Sequence, residues 1–321
     1  MAMKELSPSA YPVPTYKDPF DRRITSIIRR GRTAKDGWLN LLGVPFDGAT
    51  LGRKGSSLAP NLIREALRFN SNFNAENGSR LADAKINDIG NVNFQSNDIE
   101  KVHDIIYNLV YKSLREKSLL VLLGGDNSIS LPSILACSRR YHNVGLIVID
   151  SHFDLRGRIA GKPTSGSSYG LALDSLGSRL DGRFVEIGIH GFLNSYDYQM
   201  KAERLGVSVF TPDDVARFGP TRTARRAFKI ASEGADCVYL SLDLDAVRLS
   251  EVSGVSAPSP AGLSSREVFD IVYFVASRRI TRCADIVETS PPLDPTGRSQ
   301  IVAASALLYM AAGFELRRTL W

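Results

Sequence analysis

The sequence predicts an α/β protein: a single three-layer αβα domain with a mostly parallel central sheet. Two observations carry this reading. Short apolar runs alternate with amphipathic segments along most of the 321 residues. The runs Leu146-Ile147-Val148-Ile149 and Val238 to Leu242 are also apolar at nearly every position. Strands of that kind are buried on both faces, which requires helices on both sides of a parallel sheet. Strand–helix alternation of this length builds one layered domain. No internal repeat, low-complexity stretch or linker divides it.

In chain order, residues 1–35 are rich in Pro, Tyr and charge and predict an N-terminal arm, extended with at most one helix, ahead of the domain proper over 36–321. Strands are predicted at 38–44, 119–123, 145–150, 183–189, 208–211, 237–242 and 283–287. Helices are predicted at 59–69, 99–117, 128–138, 195–205, 222–232, 265–276 and 299–314. Hydrophobic residues make up 43% and charged residues 23%, which excludes a disordered or collagen-like chain. No apolar run is read as approaching the ~20 residues of a membrane helix. The start of the chain lacks the apolar centre of a secretory signal, so a cytoplasmic protein without membrane partners is expected.

The 40 basic residues outnumber 34 acidic ones, for a net charge of +6. They are spread along the chain, whereas a nucleic-acid footprint needs clustering. The balance is read as a solvated basic surface that attracts small acidic molecules and no nucleic acid. Cys137, Cys237 and Cys283 each sit in or beside an apolar stretch and read as buried thiols of a reducing compartment. His103 reads as a surface histidine, His142 as a turn residue, and His190 as the end of a strand.

The chemistry lies at predicted strand ends. One apolar run ends in Asp150-Ser151-His152-Phe153-Asp154, another in Asp243-Leu244-Asp245. Ligands of an open parallel sheet bind beyond the carboxyl ends of its strands. Alternation along extended chain points Asp150, His152 and Asp154 one way, and Asp243 and Asp245 likewise. Clustered carboxylates repel, so a positive partner is expected among them. Mixed carboxylate and imidazole ligands favour Mn, Zn, Fe or Ni over Ca. A third strand end, Gly124-Gly125-Asp126-Asn127-Ser128, is by itself a tight turn with helix caps.

In this order, Gly-Gly-Asp-Asn-Ser, Asp-Ser-His-Phe-Asp and Ser-Leu-Asp-Leu-Asp resemble the motifs of the ureohydrolases, the arginase and agmatinase superfamily. Gly43-Val44-Pro45-Phe46-Asp47-Gly48-Ala49, through Arg53, Gly55 and Ala59 to Arg64, is similar to its N-terminal signature. Ile286-Val287-Glu288 is similar to its late strand. The resemblance spans about residues 38 to 314. Within the superfamily the likeness leans to the formimidoylglutamases. It rests on Asp154-Leu155-Arg156 with the Lys162 to Ser167 loop, on Asn127 where most arginases and agmatinases carry histidine, and on Gly188 to Ser195. Tyr169-Gly170 stands where arginases place a His-Gly pair.

The resemblance implies an arginase-like fold, a homo-oligomer and two Mn2+ ions per subunit. One ion would be held by Asn127, Asp150, Asp154 and Asp243, the other by His152, Asp150, Asp243 and Asp245. A metal-bridging hydroxide would hydrolyse the amidine C–N bond of N-formimidoyl-L-glutamate to L-glutamate and formamide, a step of histidine degradation. Asp154 would carry the proton and Glu288 would bind the cationic nitrogens. Arg156, Ser165 and Asn194 would bind the substrate, with Arg158 and Lys162 further along the same loop. Asn194 is equally readable as a helix cap. An amide oxygen is a poorer ligand than imidazole for these metals, so the Asn127 site is expected to bind weakly and Asn127→His to tighten it. The loop after Asp245 lacks the superfamily's usual Asp-Pro. Two alternatives remain: an agmatine or guanidino-acid hydrolase releasing urea, and a catalytically impaired ureohydrolase-like binding protein.

Overall fold

The structure, a computed structural model, describes residues 6–11, 18–180 and 182–319. Among these, ten strands form one sheet: β1 (Leu6–Ser7), β2 (Arg29–Arg30), β3 (Leu39–Gly43), β4 (Ile86–Val92), β5 (Leu119–Leu123), β6 (Val144–Ile149), β7 (Phe184–Ile187), β8 (Ser208–Phe210), β9 (Cys237–Asp243) and β10 (Thr281–Val287). They run in the order β1-β4-β3-β5-β10-β9-β6-β7-β8, with β2 also on β4. Every pairing is parallel except β1 with β4.

Among the described residues, nine α-helices accompany them: α1 (Ala59–Ala66), α2 (Ile99–Ser113), α3 (Ser130–Tyr141), α4 (Ser168–Leu176), α5 (Tyr196–Arg204), α6 (Pro212–Phe218), α7 (Pro220–Ala231), α8 (Ser265–Ala276) and α9 (Arg298–Thr319). The strand pleat sorts the core into two layers. Leu119, Val121, Leu123, Ile147 and Ile149 face a cluster with α1, α7, α8 and α9. Leu120, Leu122, Leu146 and Val148 face a second cluster with α2, α3, α4 and α5. Three-layer αβα architecture follows from this two-sided burial.

Local chemistry sets the helix ends. The side chain of Ser264 accepts from Glu267 N and that of Glu267 accepts from Ser264 N, which starts α8 with a capping box. Thr211 and Asp214 do the same for α6, where Pro212 fills the first turn. The predicted helix 99–117 stops at Ser113. The predicted helix 59–69 ends at Ala66 and finishes as the 3-10 turn Leu67–Phe69.

Two expectations need correction. α9 is long and apolar enough to cross a membrane by length and composition, contrary to the reading of the sequence. It nevertheless packs against α8 and α1 as a core helix, burying Ala303, Ala304, Leu307, Met310 and Phe314. His103 is half-buried rather than a fully exposed side chain: its Nε2 is buried without a hydrogen bond, and burial, then the nearby Arg158 charge, push its pKa down to about 4.

Of the expected arm, residues 1–5 and 12–17 lie outside the described residues. The described part lies along β4 through β1 and β2, and Ile24 is fully buried in a 3-10 turn. Cys137, Cys237 and Cys283 are all buried.

Candidate metal centre

Strands β5, β10, β9 and β6 stand side by side. Their carboxyl ends lead into Asp126, Glu288, Asp243 and Asp150 in turn. One atom each from Asp150, His152 and Asp245, and one each from Asp150, Asp154 and Asp243, lie within 4.8 Å of one another. Asp150 belongs to both groups, so the two sets form one centre.

The convergence has a different cause from the strand alternation expected. β6 ends at Ile149, and beyond it the chain folds back on itself. His152 N donates to Asp150 Oδ1 at 2.7 Å, and Asp154 adopts φ +47°. Asp245 sits in the 3-10 turn Leu244–Ala246, where its N–H donates to Asp243 Oδ1 at 2.9 Å. Ser151 Oγ donates to Asp245 Oδ1 at 2.7 Å, joining the two loops. Glu288 also adopts a left-handed φ, of +62°. Two non-glycine residues in that region each cost of order ~1–3 kcal/mol, strain that persists where surrounding structure enforces it.

The electrostatics call for a cation. Asp150 and Asp243 are buried. Burial first, then the charge of Asp245, pushes both well above the usual carboxylate range. Burial lifts Asp154 to about 6. Burial alone would lower His152, but Asp245 and Asp150 push it up to about 12. Its Nδ1 lies 3.1 Å from Asp245 Oδ2. Asp150 Oδ2 is buried without a hydrogen-bond partner, an arrangement that costs free energy unless a cation takes it up. Oxygen and imidazole donors around repelling acids fit a first-row divalent metal.

The other expected residues divide. Arg156 and Ser165 line a cleft of about 130 Å³ with His152, Asp154, Asp243 and Glu288. Arg156 is exposed, lies 5.5 Å over the Tyr198 ring, and has no ion-pair partner among the described residues. Arg158 instead pairs with Glu100 at 2.9 Å. Glu288 Oε1 accepts from Asn127 N at 2.8 Å, while Oε2 makes no hydrogen bond of normal geometry. Burial, then the Asp126 charge, raise Glu288 to about 8.

Asn127 and Asn194 depart from expectation. Asn127 turns its amide nitrogen to Asp154 Oδ2 at 2.5 Å. Its oxygen faces Ser130 Oγ at 2.9 Å and the Tyr169 hydroxyl at 3.1 Å, so it does not point at the carboxylates. Asn194 is absent from the cleft lining. It accepts from Phe153 N at 3.0 Å and donates to Ser151 O at 2.8 Å, which clamps the loop carrying His152. The following helix is capped by Ser195 instead.

With this geometry established, comparison with known proteins becomes specific. The arginase family model matches residues 39–313. The chain belongs to the arginase family. Formimidoylglutamase of Bacillus subtilis is 30% identical over 279 residues, covering 86% of this chain and 87% of its own. The crystal structure of formimidoylglutamase from Bacillus subtilis superposes with a TM-score of 0.87 at 28% identity, covering 94% and 95% of the two chains. Formiminoglutamase of Trypanosoma cruzi, solved with Mn2+, superposes with a TM-score of 0.83 at 25% identity, covering 92% and 99%.

Several contacts of this arginase-family site escaped the reading of the sequence. Tyr169 is fully buried and ties Asn127 to Ser241 through its hydroxyl. Ser130, Tyr239 and Ser241 all converge on the buried Asp285 carboxylate at 2.5–2.6 Å. Asp126 accepts from Ala49 N at 2.8 Å and Ser128 N at 3.0 Å, fastening the loop after β3 to the loop after β5. Glu186 on β7 is buried with neither carboxyl oxygen hydrogen-bonded, and burial, then the Asp150 charge, push its pKa well up. Its signal was available: a lone acid inside an otherwise apolar strand. The N-terminal signature works as scaffold. Asp47 accepts from Gly55 N at 2.9 Å, and Arg53 donates to Val255 O at 2.7 Å, bracing the segment that brings Ser256 to the cleft.

Proposed function

We propose that this protein hydrolyses N-formimidoyl-L-glutamate to L-glutamate and formamide, using two Mn2+ ions. The observation that carries this reading is the pairing of the two-part carboxylate centre with an exposed Arg156 at the same cleft that forms no ion pair among the described residues. A substrate with two carboxylates and one amidinium end is complementary to both. Agmatine, with a cationic tail and no carboxylate, is repelled by Arg156.

Asp150 and Asp243 would serve both ions, His152 and Asp245 would complete one ligand set, and Asp154 would complete the other. Asn127 would join that second set by turning its amide over, giving up its present contacts to Asp154, Ser130 and Tyr169, which would make this the weaker site. Bound divalent ions supply Lewis acidity and a water acidic enough to attack at neutral pH. Arg156 takes a substrate carboxylate in a bidentate pair, and Ser165 flanks it. Glu288 Oε2, the oxygen not held by Asn127, accepts from the amidinium nitrogens and fixes the carbon for attack. Asp154 would take the proton released as water attacks and pass it to the leaving amine nitrogen of glutamate.

The experiment that tests this is a product assay on formimidoylglutamate, agmatine and arginine with and without added Mn2+. The reading requires Mn2+-dependent release of formamide and glutamate from the first. Urea from either of the others as the dominant product would move the enzyme to a guanidine substrate. No turnover of any amidine or guanidine with metal in excess would make the fold a binding protein.

A further inference from the structure

The end of the sheet opposite the metal centre carries an unassigned concentration of positive charge. Lys85, Lys117, Arg279, Arg282, Arg317 and Arg318 line one depression of about 210 Å³. Topology gathers them. Lys85 precedes β4, Lys117 lies two residues before β5, Arg279 and Arg282 flank the start of β10, and Arg317 and Arg318 end α9. β4, β3, β5 and β10 are consecutive neighbours, so their amino ends bring these side chains to one place.

Among the described residues, little negative charge offsets Lys85, Lys117, Arg282 and Arg317. Glu315 pairs with Arg318 at 2.8 Å and accepts from the backbone N–H of Lys85 at 3.2 Å. Asp36 accepts the backbone N–H of Lys117 at 3.1 Å. Among the described residues, the side chains of Lys85, Lys117, Arg282 and Arg317 pair with no acid. Arg317 is 4% exposed and is held in place by donating to the carbonyls of Arg278 at 2.8 Å and Thr281 at 2.7 Å. Burial, then the Arg282 charge, hold its pKa down to about 9. Arg282 lies 5.9 Å over the Tyr141 ring, and its Nε is buried with no hydrogen-bond acceptor. Cations at the carboxyl end of a helix offset its dipole, which accounts for Arg317 and Arg318. It does not account for the four that come from strand ends.

We propose that this depression binds a small anion carrying two or more negative charges. A concave site with a fixed guanidinium at its base and Lys85, Lys117 and Arg279 exposed at its edge matches a phosphate-type oxyanion or a dicarboxylate. A nucleic-acid duplex needs an extended basic stripe instead.

Calorimetric titration and melting temperature of the Mn2+-loaded full chain test the proposal. The probes are inorganic phosphate, sulfate and succinate, each against chloride at matched ionic strength. One saturable site with a rise in melting temperature is expected, and the ranking of phosphate against succinate identifies which anion class fits. Lys117→Gln/Arg282→Gln should weaken binding at least tenfold while metal-dependent turnover stays unchanged. Binding that survives in this variant belongs to the catalytic cleft and overturns the proposal. If the double variant does not fold, the exposed Lys117→Gln alone should still weaken binding several-fold, and unchanged affinity there overturns it too. The absence of saturable binding by all three anions, or tighter binding of a DNA duplex than of any of them, is equally fatal.

Discussion

Arg156 and Arg158 lie two residues apart on one loop and face different surroundings. Arg156 lines the cleft without an acidic partner, whereas Arg158 is engaged with Glu100. Loss of a charge-assisted hydrogen bond to substrate costs about 1.5–3 kcal/mol. Steady-state kinetics on formimidoylglutamate should therefore give a KM raised roughly 10–100-fold for Arg156→Gln, with kcat much less affected. Arg158→Gln should stay within about threefold, since an exposed ion pair contributes little. Equal losses in the two variants would remove Arg156 from its role. His103 carries a second prediction. Its folded pKa of about 4 lies below the ordinary 6.5, so between those values the unfolded chain takes up a proton that the folded chain refuses. Its contribution to stability is complete above pH 6.5 and is lost as the pH falls toward 4, by up to ~1.4 kcal/mol per pH unit. Wild type should lose stability relative to His103→Leu across that window in denaturant melts, and parallel pH profiles would show that His103 is solvated. At this scale the acids of the centre were legible because Asp150-x-His152-x-Asp154 and Asp243-x-Asp245 each close an apolar run. The orientations of Asn127 and Asn194 were not, because an amide offers a donor and an acceptor and only its neighbours decide which end faces where.

Glycine fixes how closely elements approach. A Cβ on Gly125 would fall 1.7 Å from Phe46 O, so the turn after β5 tolerates no side chain against the loop after β3. Gly125→Ala should cost about 3 kcal/mol and reduce metal affinity, because Asp126 and Asn127 follow directly. Gly157 has nothing within 4 Å of an added Cβ and a φ outside the left-handed region. Gly157→Ala should stay within about 0.5 kcal/mol. Melting curves of the two variants check the contrast, and equal stability would refute the close approach. Strands β5, β6 and β9 were readable from their apolar runs. β4 was not, because Ile86-Asn87-Asp88-Ile89-Gly90-Asn91-Val92 reads as polar loop. Its acid is matched by a residue far away in sequence. Arg64 on α1, fully buried, donates to Asp88 at 2.6 and 2.9 Å, and the Tyr11 hydroxyl donates to the same carboxylate. A buried, fully bonded charge pair leaves no trace in local hydrophobicity. α4 was hidden for a related reason: its start follows the Ser- and Gly-rich run 165–167, which signals a turn until Thr164 and Ser167 are seen to cap the 3-10 turn that leads into the helix.

The whole molecule divides its functions between the two ends of one parallel sheet. Carboxylates gather beyond the carboxyl ends of β5, β10, β9 and β6, and basic side chains gather at the amino ends of β4, β5 and β10. Strand–helix alternation made the layered architecture legible in advance. The strand order was not, because β10 inserts between β5 and β9 and no local signal encodes that crossing. That insertion places Glu288 over the centre, between the loops bearing Asn127 and Asp243. Asp150 sits at the middle of the arrangement, shared by both ligand sets. The most direct test of the account is the number of Mn2+ ions bound per chain by wild type and by Asp150→Asn, counted by calorimetric titration on folded protein. The account predicts two ions on wild type, with unequal affinities, and severe weakening of both in the variant. Tight binding of both ions by Asp150→Asn, or none by wild type, would contradict it.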